Sequence, residues 1–484
     1  MKRLYLAIPV AYYVFVLIYT FNNIPESVIP AVGTDPFVFD ILAGEVIARG
    51  VMLKGFSAYF FTPYYVYFYS FLKLFISDHI LLFKTIIILQ MLLFFLSINI
   101  FYKLIKLLSN SGNGALVSAL LYAFYPLNIF YSVLPLKDIA AVSLLIIYLY
   151  LFLSGLENGK KSNIFLAAII LGFLVTLRGS FLPFILIGSI FLFLKMDIKK
   201  GVIFFVVAFL PIAPLTARNV IVAKDFALIY PVSGIHSYLG INEYSQPHYV
   251  PVKGIRGDSF GHYFDAKKIA QYESGKRLKD TEVNAFWKKK TREYIYKNPL
   301  EFSKKIAMRF LVFLNDAEIS SNYSFQYFKS NYLPFKPFNY LKYGFGILLA
   351  TGGTGFLFGS MKHRKFILIQ LLILLTVTLM TYVTGRYRMP VAVFLLIGQS
   401  ALICSFIEGK FTRIWIIPMV VLLVIGFNPY FAYKSTVANN SIRKHVYTSK
   451  LIDIYKIRGG EALEAQYKHD KNRFLESYGL KSAR

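Results

Sequence analysis

Long apolar runs alternate with short basic connections along most of this chain. A helix that crosses the hydrocarbon core of a bilayer needs roughly 20 mostly apolar residues. Runs close to that length recur from the N terminus to about residue 430. The pattern predicts an all-α polytopic membrane protein with about eleven transmembrane helices. We place them at residues 4–21, 80–102, 114–132, 138–154, 164–178, 180–195, 201–217, 341–359, 365–383, 390–407 and 413–430.

The basic residues predict the orientation, because cytoplasmic loops of membrane proteins carry an excess of lysine and arginine. With the N terminus inside and the C terminus outside, every short loop on the cytoplasmic side is basic. The protein is therefore expected to be a multi-pass protein of the cytoplasmic (inner) membrane. The basic groups that agree with this orientation are Lys2/Arg3, Lys103/Lys106, Lys160/Lys161, Lys195/Lys199/Lys200, Lys362/Arg364/Lys365 and Lys410/Arg413.

An aromatic stretch at residues 57–75 is long enough to resemble another span, but counting it would invert every later basic loop. We interpret it as a helix in the outer interface, where tyrosine rings favour the headgroup level. The tail carries "GGEALEAQYKHDKNRFLESYGLKSAR", which predicts one short amphipathic helix. The expected regions are an N-terminal transmembrane module (1–217) with its external loop (22–79), an extracytoplasmic basic region (218–340), C-terminal transmembrane helices (341–430) and an extracytoplasmic tail (431–484).

Composition supports the membrane assignment, since 56% of the 484 residues are hydrophobic and 18% are aromatic, which is too apolar for an ordinary soluble protein. A net charge of +28 would suggest nucleic acid in a soluble chain. In a membrane protein, however, basic residues set topology and hold anionic lipids, so we expect membrane lipids and no nucleic acid as partners. Residues 253–309 carry 15 Lys/Arg against 7 Asp/Glu on the outer side, an excess that an anionic lipid or substrate would explain.

Several kinds of site lack any sequence signal. The one cysteine, Cys404, lies in an apolar run and allows neither a disulfide nor a thiolate metal cluster within the monomer. The seven histidines show no metal-binding spacing, and the glycines form no dinucleotide or phosphate-loop fingerprint. We therefore expect no metal and no cofactor. An activated donor is expected to arrive within the bilayer.

Ionisable residues near spans are informative because a charge in the bilayer is costly and usually marks a functional site. Here they gather at the predicted outer ends of the helices, and few lie in mid-span. That distribution favours a reaction at the outer membrane surface over an ion path. The residues concerned are Asp35, Asp138, Arg178, Arg218, Arg386 and Arg388.

The stretch "TDPFVFDILAGEVIARG" at residues 34–50 allows two interpretations of Asp35. Thr34 or Asp35 can cap a helix that begins at Pro36, or Asp35 can act as a general base. The same alternatives hold for Asp138, which also begins a predicted helix. We expect Asp40 and Glu45 to form the solvated face of an interfacial helix.

The arginines also have two interpretations. Arg178 in "VTLRGSFLPF" and the pair Arg386 and Arg388 in "TGRYRMPV" lie where a lipid phosphate would sit. The planar guanidinium binds phosphate oxygens with two hydrogen bonds. The alternative for each is an interfacial arginine that extends its head towards ordinary lipid.

The residues of this loop resemble those of a known family, the C-type glycosyltransferases (GT-C) that use lipid-linked sugars, relatives of protein O-mannosyltransferases and of lipid A aminoarabinose transferases. Their first external loop has Asp, an aromatic residue four positions later, often a second Asp, then Ala and Gly. The corresponding residues here are Asp35, Phe39, Asp40, Ala43 and Gly50, with Phe in place of the usual Tyr.

Further segments continue the resemblance in the family's order over about 400 residues. No segment is specific alone, and their order and spacing carry the likeness. They are "FFTPYYVYF" (interfacial helix), "LPLKDIAAVSLLIIYLYLF" (second acidic loop), "LVTLRGSFLPF" (basic loop), "LPIAPLTARNVIVAKDFALIYPVSGIHSYLGINEYS", "YIYKNPLEFSKKIAMRFLVFL" and "GRYRMPVAVFLL".

The resemblance implies a GT-C fold and a hexosyl- or pentosyltransferase. It would transfer a sugar, with inversion, from a polyprenyl-phosphate donor to a lipid-linked glycan, lipid or protein acceptor at the extracytoplasmic face. By position, Asp35 would be the general base and Asp138 would orient the acceptor or Asp35. The residues implied in binding the donor phosphate are Arg178, Arg386 and Arg388, and weaker candidates for the binding cavity are Arg218, Asn219, Asn242 and Tyr64.

One departure concerns the interfacial helix, where some relatives place a phosphate-binding lysine directly before the proline. Here Thr62 precedes Pro63. Lys54 or Lys137 is the candidate to compensate. The departure counts against an aminoarabinose transferase in particular.

Three alternatives remain open on the sequence. A lipid-linked glycan flippase or other transporter would show broken helices and polar residues at the bilayer midplane, and we predict neither. A non-catalytic subunit would have lost the acidic residues, and both are present. An O-antigen polymerase or ligase would show a large late loop, which is not obvious.

Overall fold

The computed structural model describes residues 6–23, 32–54, 57–340, 344–430 and 460–477. This part of the chain is helical and contains no strand, apart from one isolated bridge between His248 and Val383. The predicted all-α class is confirmed. Lys2 and Arg3, used to orient the N terminus, lie outside the described residues.

The N-terminal half is a bundle of apolar helices in which α4 packs against α5 and α7, and α8 packs against α7 and α10. The long α4 begins where the Asp78 carboxylate accepts a 2.6 Å hydrogen bond from the Leu81 amide, and it ends at Asn110 in a left-handed conformation. A 3₁₀ turn, Gly179–Phe181, precedes α9. The helices are α1 (Ala7–Asn23), α2 (Asp35–Arg49), α3 (Pro63–Lys73), α4 (His79–Ser109), α5 (Gly112–Ala123), α6 (Pro126–Ser132), α7 (Lys137–Asn158), α8 (Lys161–Leu177), α9 (Leu182–Lys195), α10 (Ile198–Phe209) and α11 (Ala213–Ala223).

The basic region between residues 224 and 340 is helical, and we call it the outer unit after its predicted side of the membrane. Its first three helices surround a small apolar core of their own, and its last two helices pack into the main core. Trp287 is 2% exposed at the centre of the small core, beside Ile235, Leu239 and Ala266. The indole N–H donates to the Ala266 carbonyl at 3.2 Å, so its one polar group is satisfied. The helices of the outer unit are α12 (Ser233–Gly240), α13 (Ser259–Ser274), α14 (Asp280–Lys297), α15 (Pro299–Leu314) and α16 (Phe325–Asn331), with a 3₁₀ segment at Leu333–Asn339.

The C-terminal apolar helices pack closely because glycines face one another. An ideal Cβ at Gly355 would lie 1.8 Å from the Gly398 carbonyl oxygen, and one at Gly352 would lie 2.4 Å from that of Leu395. Only glycine allows this approach of α17 to α19. The helices are α17 (Phe345–Phe358), α18 (Arg364–Leu379), α19 (Gly385–Ile407), α20 (Ile416–Gly426, after the 3₁₀ turn Arg413–Trp415) and α21 (Gly460–Glu476), the helix predicted in the tail.

Each of the eleven predicted spans coincides with an apolar helical segment, but the number of true spans stays a prediction. By length and composition, three helices in the described residues can cross a membrane: α4, α7 and α19. Two bent pairs would raise this to five, and further apolar helices are shorter.

The bent pairs correct one expectation. The α5–α6 pair turns by 52° and the α10–α11 pair by 48°, whereas we predicted single unbroken spans at 114–132 and 201–217. Pro126 and Pro214 explain the breaks, because proline at the start of a helix has no N–H for the preceding turn.

Candidate active site

Asp35 is the meeting point of three distant segments. It is the first residue of α2, after Thr34 at the N-cap position, and it is 6% exposed. Its carboxylate accepts hydrogen bonds from the Arg386 guanidinium and, at 3.2 Å, from the Ser259 hydroxyl. Its amide donates to the Asn322 side chain at 3.1 Å. The carboxylate therefore bonds side chains from α13 and α19.

Asp138 and Arg178 form a second pair. Arg178 ends α8 in an extended conformation, and its guanidinium donates to the Asp138 carboxylate, which is 1% exposed. The same Nη2 atom donates to the Arg386 carbonyl at 3.0 Å. The two carboxylate–arginine pairs are thus joined into one cluster.

The two guanidinium groups of this cluster lie near one aromatic ring. The central carbon of Arg178 is 5.6 Å from the Tyr387 ring centroid, and that of Arg386 is 5.5 Å from it. Each guanidinium is paired with a carboxylate, and its planar fork has further donors that can bind the oxygens of an anion such as phosphate. Within the described part of the chain, four buried polar atoms in and beside this cluster have no hydrogen-bond partner: Asp138 Oδ2, the Nε atoms of Arg178 and Arg386, and Thr384 Oγ1. These atoms are available to bond a ligand.

A third basic side chain lies beside Thr62, which stands where some relatives have a phosphate-binding lysine before the proline. The Lys137 ammonium donates to the Thr62 hydroxyl and lies 5.7 Å from the Phe61 ring centroid. Lys54 is exposed in the turn after α2. Of the two candidate lysines, Lys137 is therefore the one that the fold brings to the position before Pro63.

Arg388 lies two residues after Arg386 on α19, and it binds backbone carbonyl groups. It is fully buried, and it donates to the carbonyls of Val312 at 2.6 Å and Ala317 at 2.8 Å. Its guanidinium carbon is 5.0 Å from the Phe345 ring centroid. These contacts fix the segment after α15 against the start of α19.

Arg218 and Asn219 also bind backbone. Arg218 donates to the carbonyls of Met52 and Leu53, both at 2.9 Å, and lies 4.5 Å from the Tyr59 ring centroid. The Asn219 amide group donates to the carbonyls of Ala227 and Ile229 at 2.9 and 2.7 Å. Both side chains hold the loop between α2 and α3 and the segment after α11.

Asn242 and Tyr64 make local contacts. Asn242 donates to the Tyr238 carbonyl at 2.7 Å and accepts from the Tyr244 amide at 2.8 Å. The Tyr64 hydroxyl donates to the Pro211 carbonyl at 2.6 Å, at the bend between α10 and α11. These contacts place neither side chain in the carboxylate–arginine cluster.

The expectation of a solvated Asp40 is wrong. Asp40 is 3% exposed, and its carboxylate lies 3.0 Å from the Lys73 ammonium and 3.4 Å from His79 Nδ1. Burial of α2 against α3 explains the difference. Glu45, half-buried, pairs with Arg49 at 2.6 Å on the outer side of α2.

Sequence reasoning missed Ser259, Asn322 and Glu318. Glu318 packs against Gly385, where an ideal Cβ would lie 1.3 Å from its Oε1 atom. Burial raises the pKa of Glu318 to about 7, and the Arg388 charge opposes that rise. All three residues lie in the outer unit and its connections, where no motif marks them.

A metal centre receives no geometric support. No group of three or more His, Cys, Asp or Glu side chains in the described ranges is arranged to hold a metal ion.

No protein-family model and no curated protein matches the chain. Solved structures of the Archaeoglobus fulgidus oligosaccharyltransferase are similar. The apo form has 16% identity over 96% of this chain with a TM-score of 0.47. The form tethered to an acceptor peptide has 16% identity over 95% with a TM-score of 0.46. The form named AglB, with an inhibitory peptide and a dolichol-phosphate, has 15% identity over 95% with a TM-score of 0.46.

The match covers 58 to 60% of the length of these neighbours. These neighbours are oligosaccharyltransferases.

Proposed function

We propose that this protein is a membrane glycosyltransferase. It transfers a sugar, with inversion, from a polyprenyl-phosphate donor to the hydroxyl of a glycan, lipid or protein acceptor. One observation carries the proposal: two buried carboxylate–arginine pairs, Asp35–Arg386 and Asp138–Arg178, are joined at the ends of apolar helices. Ionisable groups concentrated in this way at a bilayer-facing bundle are expensive and mark a functional site.

In this mechanism Asp35 is the general base. The acceptor oxygen attacks the anomeric carbon of the donor sugar as the bond from that carbon to the phosphate oxygen breaks. The acceptor proton passes to the Asp35 carboxylate, and the polyprenyl phosphate leaves with the bonding electron pair. The Ser259 and Asn322 contacts hold Asp35 in one position, which favours a defined angle of attack.

The basic side chains bind and stabilise the leaving phosphate. Arg178, Arg386 and Lys137 come from three different helix ends, and fixed cations are worth more in a water-poor site than in solution. Asp138 is a positioning residue, because it orients the Arg178 guanidinium. Arg388 is the weaker phosphate candidate, since its described donors already serve two carbonyls.

The proposed side of the membrane for the reaction is inferred from the position of this cluster. The cluster lies at the helix ends that the charge pattern assigns to the outer face of the inner membrane, so the donor reaches it from the bilayer. The transferred sugar is a hexose or a pentose.

A lipid-linked glycan transporter is the second candidate, because the two bent helix pairs are of the kind that transporters use. The side chains at the α5–α6 and α10–α11 bends are apolar, however, apart from Tyr125. The ionisable cluster lies at other helix ends. Transfer is therefore favoured over transport.

The deciding experiment is Asp35→Asn in purified protein reconstituted into vesicles. The donors are decaprenyl phosphate carrying different hexoses or pentoses, and the acceptors are a membrane extract. The variant keeps the shape of the side chain and loses the proton acceptor, so we expect sugar transfer to fall by at least about a hundredfold, the usual contribution of a general base.

Glu45→Gln on the same helix is the matched control and is expected to transfer at the wild-type rate. Glu45→Gln should retain the wild-type unfolding temperature within a few degrees. Asp35→Asn leaves the buried Arg386 guanidinium without its counter-charge and should lower that temperature, so transfer is compared per folded protein at a temperature where both variants remain folded. Undiminished turnover in Asp35→Asn would contradict the assignment. Movement of the lipid-linked sugar between leaflets without any new glycoconjugate would favour the transporter instead.

A further inference from the structure

Beside the carboxylate–arginine cluster lies a group of rings that no motif predicted. Tyr382, in the connection between α18 and α19, and Tyr387, in the first turn of α19, have ring centroids 5.6 Å apart. Tyr249 of the outer unit lies 5.2 Å from Tyr382, and His236 of α12 lies 6.4 Å from it. We call Tyr249, Tyr382, Tyr387 and His236 the aromatic wall.

The aromatic wall is adjacent to the proposed phosphate site. Tyr387 is the ring that both guanidinium groups, of Arg178 and Arg386, approach within 5.6 Å. The apolar faces of the wall are packed into the outer unit, where Tyr382 is 5% exposed, while Tyr387 and His236 are half-buried. The wall therefore continues from the phosphate site towards the outer unit without an intervening element.

The wall also carries polar atoms at its edge. The Tyr382 hydroxyl lies 3.4 Å from His236 Nδ1 and 3.5 Å from the Tyr387 hydroxyl. The Tyr249 hydroxyl lies 2.9 Å from His262 Nε2. Rings with a few placed hydroxyl and imidazole groups match a ligand that is apolar on one face and rich in hydroxyls at its edge.

His236 is neutral in this environment. Burial lowers its pKa to about 4, and the charges of Arg386 and Lys137 act in the same direction, against the smaller effect of Asp35. A neutral imidazole offers one donor and one acceptor. It can therefore bond a sugar hydroxyl without adding a further positive charge beside the phosphate.

We propose that the aromatic wall binds the sugar of the lipid-linked donor and determines which sugar is accepted. The proposal rests on the proposed function. A sugar bonded through one oxygen to a phosphate held by Arg178 and Arg386 lies within reach of Tyr387, the ring that both guanidinium groups approach. His236 and the Tyr382 hydroxyl then meet the hydroxyls on the far edge of the sugar.

The test measures the contribution of the sugar to binding separately from that of the phosphate. Binding to the purified full-length protein in nanodiscs is measured for sugarless decaprenyl phosphate and for decaprenyl phosphate carrying mannose, glucose, galactose, N-acetylglucosamine or xylose. The variants are His236→Gln, Tyr382→Phe and Tyr387→Leu. Tyr238→Phe, on the same helix as His236 but packed 4.8 Å from Trp287, is the matched control.

We expect at least one sugar-bearing lipid to bind the wild type and Tyr238→Phe at least about tenfold more tightly than the sugarless lipid, which equals about 1.4 kcal/mol. His236→Gln should lose most of that gain and keep the affinity for sugarless lipid. Tyr387→Leu should also lose most of the gain, and its affinity for sugarless lipid should fall as well, because its ring contacts both phosphate-binding guanidinium groups. Tyr382→Phe should lose part of it, because its ring remains.

Two results overturn the proposal while leaving the proposed function intact. One is that all three variants keep the tighter binding of the sugar-bearing lipid over the sugarless lipid. The other is a wild type that binds sugarless lipid, dependent on Arg386, yet shows no gain with any sugar. A wild type that binds neither kind of lipid, with Arg386→Ala indistinguishable from it, contradicts the proposed function and the aromatic wall together.

Discussion

At the scale of single residues, the charges of the site act as pairs. Removing one member of a buried ion pair leaves an uncompensated charge and costs about 3–5 kcal/mol. Arg386→Ala would therefore lower stability and donor affinity together, because it strands Asp35. Substitutions that keep the pairing, or that remove a charge outside the two ion pairs, separate the loss of stability from the loss of donor affinity better.

Lys137 carries an ammonium group that a double substitution can transfer to the neighbouring segment. Its ammonium bonds the Thr62 hydroxyl, so we expect Lys137→Met to weaken binding of sugarless decaprenyl phosphate about tenfold, since a hydrogen bond to a charged group contributes about 1.5–3 kcal/mol. The exchange Thr62→Lys with Lys137→Thr returns an ammonium to the same place from the neighbouring segment. We expect it to recover most of the affinity, measured by titration in nanodiscs.

The exposed Lys54 supplies the control for this exchange. Lys54→Met should bind the lipid phosphate as the wild type does. If Lys137→Met also bound it as the wild type does, or if Lys54→Met lost as much affinity, the ammonium beside Thr62 would not be part of the phosphate site.

The sequence could locate most of these charges but not their partners. Asp35, Asp138, Arg178 and Arg386 were identifiable because ionisable residues stand out at the ends of apolar runs. Which carboxylate pairs with which arginine could not be predicted, because the pairing depends on how helices far apart in sequence are packed. Ser259 and Asn322 left no signal, since serine and asparagine are ordinary in polar loops.

At the scale of elements, helix positions were predictable and helix shape was not. Apolar runs of near-spanning length fix where α4, α7 and α19 lie. The bends at α5–α6 and α10–α11 escaped because hydropathy does not fall at a break that stays apolar. Asp40 was misplaced for a related reason: periodicity on α2 shows a polar face but not that α3 covers it.

The close packing of α17 on α19 yields a prediction about Gly355. A methyl group there meets the Gly398 carbonyl at 1.8 Å, and the backbones must separate. We expect Gly355→Ala to destabilise the protein by about 1–3 kcal/mol, as overpacking does. The measurement is the unfolding temperature in detergent. Transfer should fall as well, because α19 carries Arg386.

Gly353 on the same helix provides the matched substitution. A methyl group there meets only the Leu422 side chain, at 2.7 Å from Cδ1, and that side chain can rotate. Gly353→Ala should leave the unfolding temperature within a few degrees of wild type. Equal losses for the two alanine variants would show that the contact with α19 does not set the cost, because alanine is the better helix former and propensity alone would stabilise both variants.

At the scale of the whole molecule, the site is complete only when the outer unit is seated on the apolar bundle. The outer unit brings Ser259 to Asp35 and His236 to Tyr382. The tail helix α21 adds to this contact, with Phe474 5.3 Å from the Phe37 ring and 6.0 Å from the Phe260 ring. The sequence predicted both an outer region and a tail helix, but not that they would converge on the start of α2.

Arg309 of α15 is one of the side chains that join the outer unit to the end of α18. It is 1% exposed, and its two terminal nitrogens donate to the carbonyls of Gly240 and Leu379. Lysine has no planar fork and cannot bridge both acceptors. Arg309→Lys therefore leaves a buried carbonyl unsatisfied, at a cost of about 1–3 kcal/mol.

We expect this cost to appear as opening of the outer unit before the bundle unfolds, because the lost contact lies between the two. In Arg309→Lys, amide hydrogen exchange of α12 should accelerate by at least about tenfold, the factor that corresponds to 1.4 kcal/mol, while exchange in α7 stays at the wild-type rate. Sugar transfer should fall in parallel, since His236 and Ser259 are carried by the unit that opens.

Arg292→Lys, exposed on α14, should change neither rate. If α12 and α7 accelerated together in Arg309→Lys, the outer unit and the bundle would unfold as one body, and the fall in transfer would reflect global stability instead of the seating of the outer unit on the site.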